Sequence, residues 1–246
     1  MIASMLKLLS KTVSIWREVV PVLRTRGFRL LAGLVVAVVA LSAVSDVIAG
    51  LLRYNGTISE ATSNWFRVSK DWSVWETIGY GFFQSAAVLT YLTARKLGSS
   101  IHRFLAALFQ FLVFDDALQF HERFGYQFGN RFLHDVTLVE PHAAGEVVYA
   151  IIAFSIIFFF LFRSYRASTE RQRALGLMLV VPLAIVAGGA IGVDFIYQLV
   201  PKNELIRGAV ATLENCTELF GTGLAMLAAA VQWMAFVKTG PAQPKP

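Results

Sequence analysis

IHRFLAALFQFLVFDDALQFHERFG, residues 101–125, decides how this chain folds. Its first fourteen residues are mostly apolar, and its last eleven hold two aspartates, a glutamine, a histidine, a glutamate and an arginine. A single helix over 101–123 would be about 34 Å long, enough to cross a hydrocarbon core of about 30 Å. Its charged end would then lie just below one membrane surface. Asp115, Gln119 and Glu122 follow i, i+4, i+7 and would share one face of that helix, with Asp116 and His121 turned elsewhere. Carboxylates at that depth are costly unless paired, so such a helix turns them into a bundle rather than toward lipid.

The rest of the chain agrees with a membrane setting. Of its 246 residues 56% are hydrophobic and 15% charged, against about 25% charged in soluble domains. Apolar stretches at roughly 27–52, 73–94, 101–123, 143–165, 174–199 and 206–237 each reach the length of about 20 residues that a spanning helix needs. Backbone groups find no water in lipid, so each span is a helix. The expected fold is all-α: a polytopic six-transmembrane-helix bundle over 27–238, with no internal repeat. Residues 1–26 read as an amphipathic interfacial helix, with Leu6, Leu9, Val13, Trp16 and Val20 opposite Lys7, Lys11 and Arg17. No small-residue cleavage site follows, so the segment does not read as a clean signal peptide. The tail 239–246, GPAQPKP after its first threonine, reads as disordered. One cysteine, Cys216, excludes an internal disulfide and a Cys-based zinc site.

Lys and Arg set the orientation. The N-terminal segment, the 95–103 and 163–173 loops and the tail carry fifteen of them, and the other three loops carry seven. That bias puts both termini in the cytoplasm. The net charge of +6 is then a matter of topology, and nucleic acid is not an expected partner.

The acids divide more sharply. Of sixteen, only Glu18 and Glu170 fall on the cytoplasmic side. Asp46, Glu76, Asp115, Asp116, Glu122, Glu146, Asp194, Glu214 and Glu218 come from every span, and alternating helix direction brings them to one level near the outer surface. Glu214 with Glu218, and His142 with Glu146, stand at i, i+4; Glu76, Tyr80 and Gln84 form another polar stripe, and Asp194, Tyr197 and Gln198 a further one. Glu60, Asp71, Asp135, Glu140 and Glu204 read as helix ends in the headgroup region, Asp71 as an N-cap and Asp46 as a solvated end.

Several chemistries suit an outward polar pocket. Carboxylates with neutral imidazole ligate first-row metals. A divalent metal (iron, manganese or zinc) would take oxygen from Glu76, Asp115, Glu122, Glu146, Glu214 and Glu218 and nitrogen from His121 and His142. Asp116, Gln119, Tyr80, Gln84, Asp194 and Gln198 would complete the lining. No E-x-x-H of the bundle di-metal proteins occurs, and spacing of four is permissive rather than specific. The other chemistry is binding of a proton or cation, as in coupled transporters; against it, the inner halves of the spans carry almost no acids. A nucleophile elbow and a phosphate loop are both missing.

The D-D-x4-H-E motif at 115–122, with E-x-x-x-E at 214–218 and W-E-x-x-x-Y at 75–80, resembles a family of uncharacterised bacterial multi-pass membrane proteins. The resemblance implies a bacterial inner membrane and carries no reaction with it. The leading expectation is a metal-dependent enzyme acting on a lipid or other amphiphile at the outer leaflet, where a metal could activate water or dioxygen. The alternatives are a cation- or proton-coupled transporter and a non-catalytic subunit of a membrane complex.

The topology is open to test. Reporter fusions at Lys96 and Ser168 should read cytoplasmic, and fusions at Thr62 and Asn130 periplasmic. A periplasmic signal at Ser168 would scatter the acids over both surfaces.

Overall fold

The computed structural model describes residues 17–68, 70, 72–133, 140–189 and 204–238. All regular structure among the described residues is helical. A short helix α1 over 17–23 precedes α2 (Arg26–Tyr54), α3 (Glu60–Phe66), α4 (Val74–Leu97), α5 (Ser100–Ala117) and α6 (Phe120–Phe132). Then come α7 (Pro141–Arg166), α8 (Glu170–Ala187) and α9 (Glu204–Lys238). Three of these, α2, α7 and α9, are long and apolar enough to cross a membrane.

Local chemistry sets most of the boundaries. Thr25, Ser59, Ser73, Ser99 and Thr169 each cap a helix by accepting from a backbone N–H of its first turn. Gly98, at φ 59°, ends α4 in the left-handed conformation that glycine adopts at no steric cost. Pro141 opens α7, where its missing N–H is no loss. The N-cap of α4 is Ser73; Asp71 lies outside the described residues.

The helix expected to run unbroken from 101 to 123 does not. It stops at Ala117, Gln119 takes φ 52°, ψ 43°, and α6 starts at Phe120. A non-glycine residue in that region costs on the order of 1–2 kcal/mol, so tertiary packing must hold it there. The packing lies between α6 and α7. Gly125, Gly129 and Gly145 let the two backbones meet: a Cβ on Gly129 would strike the Pro141 carbonyl, and one on Gly145 the Gly125 carbonyl. Gly125 and Gly129 thus form a small-xxx-small seam with Gly145. Phe124, Phe128 and Phe132 stack along α6, and Phe124 also meets Tyr149 of α7.

The core belongs to α9. Ala225, Met226 and Ala229 pack with Phe83 and Ala86 of α4, Leu105 and Phe109 of α5, and Leu179 of α8. Gly79 faces Leu219 and Thr222, and Lys96 donates to the Phe236 carbonyl, so α4 and α9 run parallel. By contrast α7 buries only Gly145 and leaves Ile151, Phe154, Phe158 and Phe162 exposed.

One further expectation changes, at Asp46, and only the end of the N-terminal segment is described. The described end of the N-terminal segment docks on protein: Val19 and Val22 are buried against Leu175, Val231 and Phe236, and Glu18 pairs with Arg171. Residues 1–16 and 239–246 lie outside the described residues. Asp46 is not a solvated helix end. It is buried, accepts from Thr212 Oγ1 at 2.7 Å and pairs with Arg67 Nε at 3.4 Å. Its partners come from a loop and from α9, which no local pattern announces.

The glycine seam carries a prediction. Gly145→Ala should lower thermal stability by about 1–3 kcal/mol, the usual cost of forcing a carbon into packed backbone. Gly81→Ala, where a Cβ meets nothing within 4 Å, should be neutral or stabilising by about 0.5–1 kcal/mol. Melting curves in detergent compare the two, and equal effects would contradict the close crossing.

Candidate functional site

A cavity of about 60 Å³ opens between α4, α5 and α9, roofed by Val68. At roughly 10–15 Å³ of such volume per water, it has room for a few waters or a small ion and none for an acyl chain. Three carboxylates line it, one from each helix: Glu76, Asp116 and Glu218. Tyr80, Trp75 and Phe83 form much of the remaining wall, with Asn215 and Thr222 one turn either side of Glu218. No Lys or Arg lies in the lining among the described residues.

Each acid is positioned differently. Glu76 sits at the third position after the Ser73 cap, whose hydroxyl accepts from its backbone N–H at 3.2 Å. Its carboxylate accepts from the Trp72 N–H and the Tyr80 hydroxyl. Tyr80 also faces Asp116. Asp116, last but one in α5, stands exposed at the cavity mouth. Glu218 is half-buried in α9 and lies in the electrostatic reach of Asp116, Glu214, His121 and Glu76.

A second cluster adjoins the first. Because the helix breaks at Gln119, His121 turns back over the end of α5, and its Nδ1 lies 3.2 Å from Asp115 Oδ2. Tyr149 of α7 donates to the other Asp115 oxygen, and Glu122 approaches His121 Nε2 at 3.9 Å. His121 stands on α6, beyond the end of the third span. The Asp115 hydrogen bond pushes its imidazole up to about 9 from the ordinary 6.5, helped by the charges of Asp115, Asp116 and Glu122 and opposed by burial. Near neutral pH, with no metal bound, it is an imidazolium paired with a carboxylate.

The expected site residues therefore separate. Glu76, Tyr80, Asp116 and Glu218 meet in one cavity, and Glu214 is electrostatically tied to it through Glu218. Asp115, His121 and Glu122 form the neighbouring cluster. Asp115 and Glu122 do not share a helix face, since they lie on different helices. Glu146 is pressed against Gly125 in the α6–α7 seam, and His142 pairs with Glu140 at 3.5 Å at the start of α7. Gln84 is exposed, off the buried stripe of Phe83, Ala86 and Thr90. Asp194, Tyr197 and Gln198 lie outside the described residues. Among the described residues, no three His, Cys, Asp or Glu side chains are grouped so as to hold a metal ion.

Sequence reasoning missed Tyr149, Asn215 and Thr222. The last two could have been found: 215, 218 and 222 follow the three-four spacing of one helix stripe. Tyr149 gave only the signal of a hydroxyl inside an apolar run.

Residues 60–233 match the model of the family described as Domain of unknown function (DUF8692), and the chain belongs to that family. Neither a curated protein nor a solved structure matches it. The matched region runs from α3 into α9 and contains the cavity, both acid clusters and the glycine seam.

The His121–Asp115 pair predicts a pH dependence. Its folded value lies above its unfolded one, so its contribution to stability is complete below about pH 6.5 and is lost as pH rises through about 9. Melting temperature should fall over that window in wild type. His121→Gln should remove that part of the fall, and an unchanged profile in the variant would contradict the pairing.

Proposed function

We propose that this is a six-span protein of the bacterial inner membrane, with both termini cytoplasmic, that binds a proton or small cation in the Glu76–Asp116–Glu218 cavity and works as a cation- or proton-coupled transporter. One observation carries the reading: three helices each send a carboxylate into a cavity lined by no Lys or Arg among the described residues. Like charges that share one small cavity repel, which favours states of the group that carry a proton or a cation. Glu218, less exposed than Asp116, is the member that holds it. Glu76 is fixed by Trp72 and Tyr80 and serves as the constant part of the site.

The six-span arrangement adds α4, α5 and α8 to the three longer apolar helices. They surround or flank α9, and the exposed apolar faces of α2 and α7 then meet lipid. The fifteen-to-seven division of Lys and Arg supports the orientation.

A metal-dependent enzyme on a lipid or amphiphile is the second reading. It keeps the same three carboxylates as oxygen donors for a divalent ion, with the amphiphile outside a cavity too small to admit it.

Glu218→Gln separates the two. The amide keeps the shape of a protonated carboxyl and drops the charge. Under cation or proton coupling the variant should stay folded and melt higher, by about 1 kcal/mol or more from relieved repulsion, while wild type ignores chelator. If wild type melts lower with chelator and Glu218→Gln copies that loss, the metal reading replaces this one.

A further inference from the structure

We infer that the α4–α5–α9 seam holds a second polar station at its inner end, and that the two stations are the ends of one gated proton path. The inference rests on the coupling reading above and names the coupled ion as the proton.

The three facing stripes share one pattern. On α4 it runs Glu76, Tyr80, Phe83, Ala86, Thr90, Thr93; on α9 Glu218, Thr222, Ala225, Ala229, Gln232; on α5, in reverse, Asp116, Leu112, Phe109, Leu105, His102. Each follows the three-four spacing of one helix face. Each is polar at both ends and apolar between.

The inner ends meet. His102 is fully buried; its Nε2 lies 3.0 Å from Gln232 Oε1 and its Nδ1 2.7 Å from Ser99 Oγ. Gln232 Nε2 donates to the Leu175 carbonyl at 3.0 Å, which commits the amide oxygen to the histidine. Nε2 of His102 therefore carries the hydrogen, and Nδ1 accepts from the Ser99 hydroxyl. No charged group of α4, α5, α8 or α9 acts on the ring among the described residues. Lys96 of α4 is engaged with the Phe236 carbonyl.

Thr90 and Thr93 supply the independent observation. Both are completely buried, and neither hydroxyl has a hydrogen-bond partner. The α4–α9 register brings them level with Ala230 and Trp233, within a turn of Gln232. Valine would fill the same space without an orphaned hydroxyl. Two such hydroxyls on the stripe that begins at Glu76 fit a line that water or a proton visits transiently.

Between the stations stand Phe83 and Phe109, with ring centroids 5.6 Å apart. From Phe83 to Thr90 is about 10 Å of helix with no polar side chain on the stripe, so the path is closed there. When it opens, the proton leaves the outer carboxylates and binds Nδ1 of His102. Ser99 turns its hydrogen away and accepts from the new N–H. Release to the inner side reverses both changes, and no bonds other than O–H and N–H form or break.

The test uses the full chain in vesicles that contain a pH-sensitive dye, with an inside-negative potassium diffusion potential. Wild type should acidify the interior faster than empty vesicles. The double variant Thr90→Val, Thr93→Val removes only unpartnered hydroxyls, so it should melt at the wild-type temperature or above. Its flux should fall by about tenfold, the loss of one hydrogen-bonded link. His102→Gln should do the same where it folds, and the threonine variant decides where it does not. A wild type no leakier than empty vesicles, or a threonine variant with wild-type flux, overturns the path. Neither result touches the outer site, which stands or falls on the Glu218→Gln melts.

Discussion

The backbone of Gln119 is the point on which the arrangement turns. A left-handed residue between Ala117 and Phe120 ends the third long helix and starts another at a new angle. The conformation is unfavourable for glutamine by itself. It is held by the glycine seam that locks α6 to α7 and by the His121–Asp115 pair that closes over the break. A straight helix would have sent Asp115 and Glu122 along one face. The break instead gives Asp115 to His121 and Tyr149 and leaves Asp116 to the cavity. Two adjacent aspartates thereby serve two clusters: one charged and paired, the other without a basic partner in its wall among the described residues.

That division gives the site its electrostatic logic. Asp115 has an imidazolium to offset it, and the two together change little near neutral pH. Glu76, Asp116 and Glu218 line one small space with no Lys or Arg among its described residues, and the charge of His121 acts on Asp116 and Glu218 from the neighbouring cluster. The cavity volume excludes a bulky ligand, while the aromatic walls of Trp75, Tyr80 and Phe83 limit water. Further in, Phe83 and Phe109 separate this site from the His102–Gln232–Ser99 network, whose hydrogen bonds tie α5, α9 and α8 together at their inner ends.

Apolar runs made the helices legible: α2, α4, α7 and α9 fall within a few residues of the stretches read from hydropathy. Three of the acids named from sequence, Glu76, Asp116 and Glu218, meet from separate helices, although Asp116 was read as turned away from the face of Asp115 and Glu122. The break at Gln119 was not, because Ala117-Leu118-Gln119-Phe120 contains neither glycine nor proline. Its cause lies in the α6–α7 crossing, and Gly125, Gly129 and Gly145 carry no local signal of a break at 119. The buried state of Asp46 was hidden for a related reason: Arg67 and Thr212 are distant in sequence. The inner polar network left no mark in the distribution of acids, because His102, Gln232, Thr90 and Thr93 are not acids.

The central claim is that the outer carboxylates hold a proton when no other cation is supplied. An infrared spectrum of the purified protein at neutral pH, in sodium-free buffer with chelator, tests it directly. Wild type should show the carbonyl stretch of a protonated carboxyl, and that band should be missing from Glu218→Gln. A wild-type spectrum with every carboxyl group ionised would contradict the account.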